Sequence, residues 1–330
     1  MLLLMSMALA QGPLLHASPL LPPWVDLSMV APPIVNGQTT ADYPEVPMLY
    51  MRDRNGYGAL CTGSLIAPEW ILTAAHCVSD DSSFRIAAID VGFGASVRSL
   101  ETTTEAEDWF PHPNYNASGY YDVGLIKLAE PINDYPLMKL SIEGFTSQDR
   151  GEEFRVVGFG ITSDNDTNPN AAKRFADLPL VYYDERLFVT WDQAGGNNNS
   201  NACHGDSGGP VLRMYDNGSY AEAGIVNFAS GNTQSGDCEG NGVANARVDY
   251  YLSWIEGYTP VKIFGESPAD EVGVYDEIEI SPPLGPMEIE NPIRPKAAGE
   301  NYDTSCSSVG GTSPLWLGLV GLMGLRRRRS

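Results

Sequence analysis

The chain has 330 residues, with 42 acidic side chains against 20 basic ones and a formal net charge of -22. Hydrophobic residues make up 43%, enough for a sizeable core in one large or two modest domains, and the surplus of negative charge excludes nucleic acid as a partner, because its phosphates repel such a surface. With 34 Gly and 24 Pro, the composition favours many turns and short strands over long helices.

The opening MLLLMSMALAQG is apolar and ends in small residues, like the apolar part and cleavage region of an export signal cut after Ala10. It lacks the Lys or Arg that usually precedes such a run. Residues 1–33 read as signal peptide plus short propeptide. Residues 34–258 carry the globular pattern. Apolar runs such as ALCTGSLI, WILTAA, VGLIKL, FRVVGFG, GPVLRMY and AGIVNF alternate with Gly, Asn, Asp and Pro clusters, the pattern of an all-β sandwich or barrel. VDYYLSWIEGY (248–258) sets Tyr251, Leu252, Trp254 and Ile255 at helical spacing, so a short amphipathic helix ends the domain. Residues 259–304 mix many prolines with Asp and Glu and read as an extended acidic stalk, in which VYDEIEI (274–280) has the composition of a strand. Residues 305–330 hold Cys306, Gly310-Gly311, an apolar run and Arg326 to Arg329. As a helix, Pro314 to Leu325 would reach ~18 Å, short of a ~30 Å hydrocarbon core. DNDTNPN (164–170) has the spacing of a calcium loop, but Pro169 and Phe175 stand where glycine and glutamate are needed, so no metal is expected there. No cofactor motif is present.

The five cysteines fall as Cys61 with Cys77, Cys203 with Cys238, and Cys306 alone, a distribution suited to an exported, oxidised protein. NACHGDSGGP (201–210) places Ser207 in a glycine-rich turn. A serine hydroxyl attacks well only when a base takes its proton, and histidine is the usual base because it titrates near neutrality. Of the four histidines, His16 lies in the leader, His112 sits between prolines, and His204 is fixed by the turn. His76, in LTAAHCV, is the candidate. Asp122, at the head of an apolar strand, is either its orienting acceptor or an ordinary strand-end charge. The turn at Gly205 can aim the amides of Gly205 and Ser207 at one point, as an oxyanion requires.

IVNG (34–37), LTAAHC (72–77), DVGLIKL (122–128) and GDSGGP (205–210) together resemble the chymotrypsin/trypsin-like serine peptidases, in that family's order, over residues 34–258. The resemblance implies two packed antiparallel Greek-key β-barrels with the active site between them. Ser207 would be the nucleophile, His76 the base and Asp122 its orienting partner. Disulfides Cys61–Cys77 and Cys203–Cys238 are implied; VTWDQAGG (189–196) lacks the cysteine of a further bridge. The partners implied are protein or peptide substrates.

The resemblance also implies activation by a cut before Ile34, whose new ammonium would pair with Asp206. Pro32 and Pro33 precede Ile34, so an activating peptidase other than a trypsin-type one is expected. The substrate pocket would have Asn201 at its floor, with Ala229 and Gly242 as walls and Asn227-Phe228-Ala229 pairing with extended substrate. Asn201 is neutral and cannot offset a buried ammonium, so preference for an uncharged residue before the cut is expected. Asn227 stands where the family usually has a serine supporting the aspartate. The end of the chain resembles bacterial sorting tails: Cys306 is similar to the MYXO-CTERM type and Gly310-Gly311 to the Gly-Gly type. That implies a tail-processing peptidase, membrane contact before processing, and an exported enzyme, released or held on the cell surface. The alternative is an inactive relative that only binds proteins.

Overall fold

A computed structural model describes residues 34, 36–80, 84–116, 120–160, 172–192, 200–230, 242–259, 261, 263 and 264, the last two and 228–230 in backbone only. The leader, Cys238, the stalk beyond residue 264, VYDEIEI, DNDTNPN and the tail with Cys306 lie outside the described residues.

The first half contains β1 (Gln38–Thr39), β2 (Met48–Arg52), β3 (Gly58–Thr62), β4 (Ser64–Ala67), β5 (Trp70–Thr73), β6 (Ala88–Gly94), β7 (Leu100–Pro111) and β8 (Gly124–Leu128). The second contains β9 (Leu140–Ser141), β10 (Glu153–Gly158), β11 (Arg174–Tyr183), β12 (Leu187–Thr190), β13 (Pro210–Met214), β14 (Tyr220–Ser230) and β15 (Gly242–Arg247), then α1 (Val248–Glu256) and β16 (Ile263–Phe264). Strands β2, β4, β6 and β15 are buried along most of their length, whereas β11 shows period-two burial. In β11, Ala176, Leu178 and Leu180 are buried while the residues between them are more exposed.

In the second half, β10, β11, β12, β15, β14 and β13 follow one another, and β13 pairs with both β10 and β14, closing a barrel. The first half is a curled sheet in the order β3-β2-β6-β7-β8-β5-β4. Its end strands β3 and β4 are joined through Gly63 alone, so hydrogen bonding brings the curl almost, but not fully, round. The all-β expectation with a short terminal helix is met, with one closed barrel and one half-barrel. β1 belongs by pairing to the second half, where Gln38 and Thr39 face Phe175 and Arg174 of β11.

The halves share a core. Leu65, Ile71, Leu125 and Ile126 of the first half join one apolar cluster with Leu212, Ile225 and Ala246 of the second. The helix α1 belongs to that seam. It buries Val248, Tyr251 and Ile255, spaced three and four apart, so one stripe faces inward. Each such side chain contributes about 2 kcal/mol by burial. Past the helix, Tyr258 stacks near Phe110 at 5.0 Å and Trp70 at 6.2 Å, carrying the C-terminal segment onto the first half. The acidic stretch after residue 258 does not leave the sheet at once: Thr259 is buried, and β16 pairs in parallel with β9.

Candidate active site

His76 sits in a 3-10 turn, Ala75–Val78, that follows β5 directly. Cys77 in that turn is bonded to Cys61 on β3, which staples the turn to the sheet. Asp122 immediately precedes β8, and β8 pairs with β5 so that Gly124 faces Thr73. Strand pairing thus brings both residues to one end of the sheet. The Asp122 carboxylate accepts twice from the same residue, through Oδ1 from the His76 amide and through Oδ2 from Nδ1, both at 2.7 Å. Asp122 is buried at 2% exposure. Because a carboxylate only accepts, Nδ1 carries the proton in this pair and Nε2 keeps its lone pair. Nε2 is itself buried, with no hydrogen-bond partner among the described residues.

The turn holding Ser207 presses on the same strand end. Gly205 and Gly208 have φ of 95° and 78°, a region that suits glycine. A Cβ on Gly208 would stand 2.0 Å from Thr73 Oγ1 and 2.9 Å from the Ala74 nitrogen, so only glycine lets the turn approach the His76 segment. The Ser207 carbonyl accepts from the Thr62 amide at 2.8 Å, and Cys77 Sγ lies 3.6 Å from it. The Gly205 and Ser207 amides donate to no acceptor among the described residues.

The turn of Ser207 therefore packs against the segment that carries His76. The family model described as Trypsin matches residues 34–255. The chain belongs to the trypsin family. Chymotrypsin-like elastase family member 1 of Rattus norvegicus is 26% identical over 255 residues, covering 67% of this chain and 94% of that protein. Brachyurin of Leptuca pugilator is 33% identical over 220 residues, covering 61% and 88%. Chymotrypsin-like elastase family member 3B of Macaca mulatta is 30% identical over 247 residues, covering 68% and 92%. Membership gives the enzyme class, a serine endopeptidase.

The trypsin-family turn also holds Asp206, which is fully buried. It accepts from the amides of Gly160 at 2.8 Å, Cys203 at 2.9 Å and Ile34 at 3.3 Å. Burial pushes its pKa up to about 7, against the pull of those three donors and of Arg174. Ile34 is buried as well and has a φ of 43°, uncommon for a β-branched residue.

Of the expected pocket residues, Asn201 is buried at 1% exposure. Asn227 is buried at an irregularity of β14, between Val226 and Phe228. Ser230 pairs with Gly242 and Ala229 with Val243, so these positions share one end of the β14–β15 ladder. That ladder is tied to the serine turn by Gly208 N to Val226 O at 2.8 Å and Val226 N to Gly209 O at 2.9 Å. The side chains of Phe228 and Ala229 lie outside the described residues. Cys203 is disulfide-bonded, and its expected partner Cys238 lies outside them too.

Cys61, His76 and Cys77 cluster closely enough to suggest a metal trio. Both sulfurs are spent in the disulfide and Nδ1 in the Asp122 pair, so that donor set is not free for an ion. His112 stacks on Tyr121 with ring centres 5.0 Å apart, and burial pulls its pKa down to about 4, so it packs as a neutral ring.

Thr62 was missed by sequence reasoning. Its Oγ1 donates to the Gly205 carbonyl at 2.9 Å and accepts from the Phe159 amide at 3.1 Å, while its own carbonyl accepts from Thr73 Oγ1 at 2.9 Å. It joins the serine turn to both halves. Only its place beside Cys61 could have drawn attention to it.

Proposed function

We propose that the protein is an exported endopeptidase in which Ser207 attacks the scissile carbonyl, His76 takes the serine proton through Nε2 and returns it to the leaving amine, and Asp122 holds the imidazole and stabilises its charged form. The observation that carries this reading is the His76–Asp122 pair. It fixes the tautomer and leaves Nε2 buried and unengaged among the described residues, on the short turn whose Cys77 touches the Ser207 carbonyl. The amides of Gly205 and Ser207 supply the oxyanion site.

Activation is a cut before Ile34. The amide of Ile34 already points at Asp206, so freeing it replaces a neutral donor by an ammonium without moving the chain far. The neutral, buried Asn201 supports an uncharged, medium-sized residue before the cut, with Gly242, which carries no side chain, as one wall. Among the described residues no helix is long and apolar enough to cross a membrane. Export through the leader, and removal of the tail near Cys306, complete the reading.

A panel of peptides varied at the residue before the cleaved bond, offered to the processed enzyme, tests it. Cleavage after uncharged residues is expected, with kcat lower by about 10⁶-fold in Ser207→Ala. Strong preference for Arg or Lys would overturn the specificity, and equal turnover by Ser207→Ala would overturn the mechanism.

A further inference from the structure

Both donors to the Asp122 carboxylate come from His76, so they fix the two residues to each other and not to the rest of the fold. Something else must hold the backbone of Asp122. The structure places it at the corner of a three-residue turn, closed by Val123 N to Tyr121 O at 2.9 Å. The preceding residue, Tyr121, has a φ of 60°. A bulky residue in that left-handed region carries roughly 1–2 kcal/mol of strain and stays there only when its surroundings insist.

Those surroundings are specific. The Tyr121 amide donates to the hydroxyl of Tyr251 at 3.0 Å. Tyr251 is 2% exposed and stands on α1, 130 residues away along the chain. The Tyr121 ring is stacked on His112, with the Arg186 guanidinium 5.1 Å from the ring centre. Tyr250 and Trp254 complete the surroundings: Tyr250 packs on Tyr251, and Trp254 on His112. On the far side of the turn, the Val123 carbonyl accepts from the His112 amide at 2.9 Å.

We propose that Tyr251 is a positioning residue for Asp122: its hydroxyl clamps the Tyr121 amide, holds the left-handed turn, and thereby sets where the His76–Asp122 pair stands. The proposal rests on the catalytic roles given above. Loss of the hydroxyl leaves an amide without its acceptor and lets Tyr121 relax to negative φ. Asp122, one residue on, then shifts. A displacement of about 1 Å at a catalytic group lowers turnover by as much as 10²-fold.

The test is Tyr251→Phe in the processed full chain. The ring and its packing stay, and only the oxygen goes. The expected result is a fall in kcat of roughly tenfold with KM nearly unchanged, because alignment and not substrate binding is lost. The acid limb of the pH profile of kcat/KM should move to lower pH by roughly half a unit or more, since a displaced carboxylate stabilises the His76 imidazolium less. Tyr121→Asn provides a second variant, as asparagine tolerates left-handed backbone. Adding Tyr251→Phe to it should lower kcat by clearly less than the tenfold seen alone. A Tyr251→Phe enzyme with lowered thermal stability but unchanged kcat and acid limb would overturn the proposal, as would equal losses in both backgrounds. A processed wild type that turns over no peptide would overturn the catalytic reading as well.

Discussion

Asp206 offers a prediction whose size can be worked out. In the unprocessed chain its hydrogen-bond partners are neutral amides, and burial raises its pKa from 3.8 to about 7 against their pull and that of the Arg174 charge. The folded state therefore binds a proton more readily than the unfolded one. That contribution is fully present below the unfolded value and is lost as pH rises through the folded one. A shift of this size corresponds to roughly 4 kcal/mol lost between about pH 4 and pH 7. Cleavage before Ile34 changes the partner. An ammonium at the 3.3 Å separation now spanned by the Ile34 amide is worth about 5 kcal/mol to the carboxylate at an effective dielectric of 20, enough to cancel the shift. The assay is urea unfolding across pH 4 to 8, with disulfides intact, in a Ser207→Ala background that prevents self-digestion. Unprocessed protein should lose stability steeply with rising pH relative to its Asp206→Asn counterpart. Processed protein should show a much flatter difference. Before processing, parallel stability curves for the protein with Asp206 intact and for its Asp206→Asn variant would refute the reasoning.

The other predictions concern groups outside the catalytic trio. Glu222 is fully buried, and burial, with the Glu45 charge adding to it, pushes its pKa up to about 8 despite the Ser64 hydroxyl. Its proton is held more tightly in the fold, so stability falls as pH rises from about 4.5 to 8; Glu222→Gln should be the more stable protein at pH 8.5 and lose that advantage at pH 4.5, as read by thermal unfolding. Thr62→Val keeps the shape but deletes both bonds of the hydroxyl, to Gly205 and Phe159; a loss of roughly 2–4 kcal/mol is expected in urea unfolding, with kcat falling several-fold because Gly205 is no longer anchored. Replacing both Cys61 and Cys77 by alanine should lower kcat at constant KM in a peptide assay, as the turn bearing His76 loses its staple while β14, β15 and the disulfide at Cys203 stay in place.

The parts of this fold legible in the sequence were those with local causes. The apolar runs that become β5 and β8, and the helical spacing of Tyr251 and Ile255, are written in consecutive residues. The glycine turn around Ser207 is legible for the same reason: only glycine fits φ of 95° and 78°. Long-range bonds from side chain to backbone leave no such trace. Thr62 to Gly205, and Tyr251 to Tyr121, span 143 and 130 residues and follow no periodicity. The pairing of β16 with β9 was hidden for another reason, since two residues after a helix in an acidic, proline-rich stretch carry too little pattern to announce a strand. The half-closed first sheet was equally unreadable, because closure depends on whether β3 and β4 meet across Gly63 and not on either strand's composition.

The central claim is that Ser207 is made nucleophilic by the His76–Asp122 pair. Its most direct test is mass-spectrometric mapping of a fluorophosphonate adduct on the processed full-length chain. A single adduct on Ser207 is predicted, abolished in His76→Ala and strongly slowed in Asp122→Asn. No adduct, an adduct on another residue, or labelling of Ser207 at the same rate in His76→Ala would contradict the account.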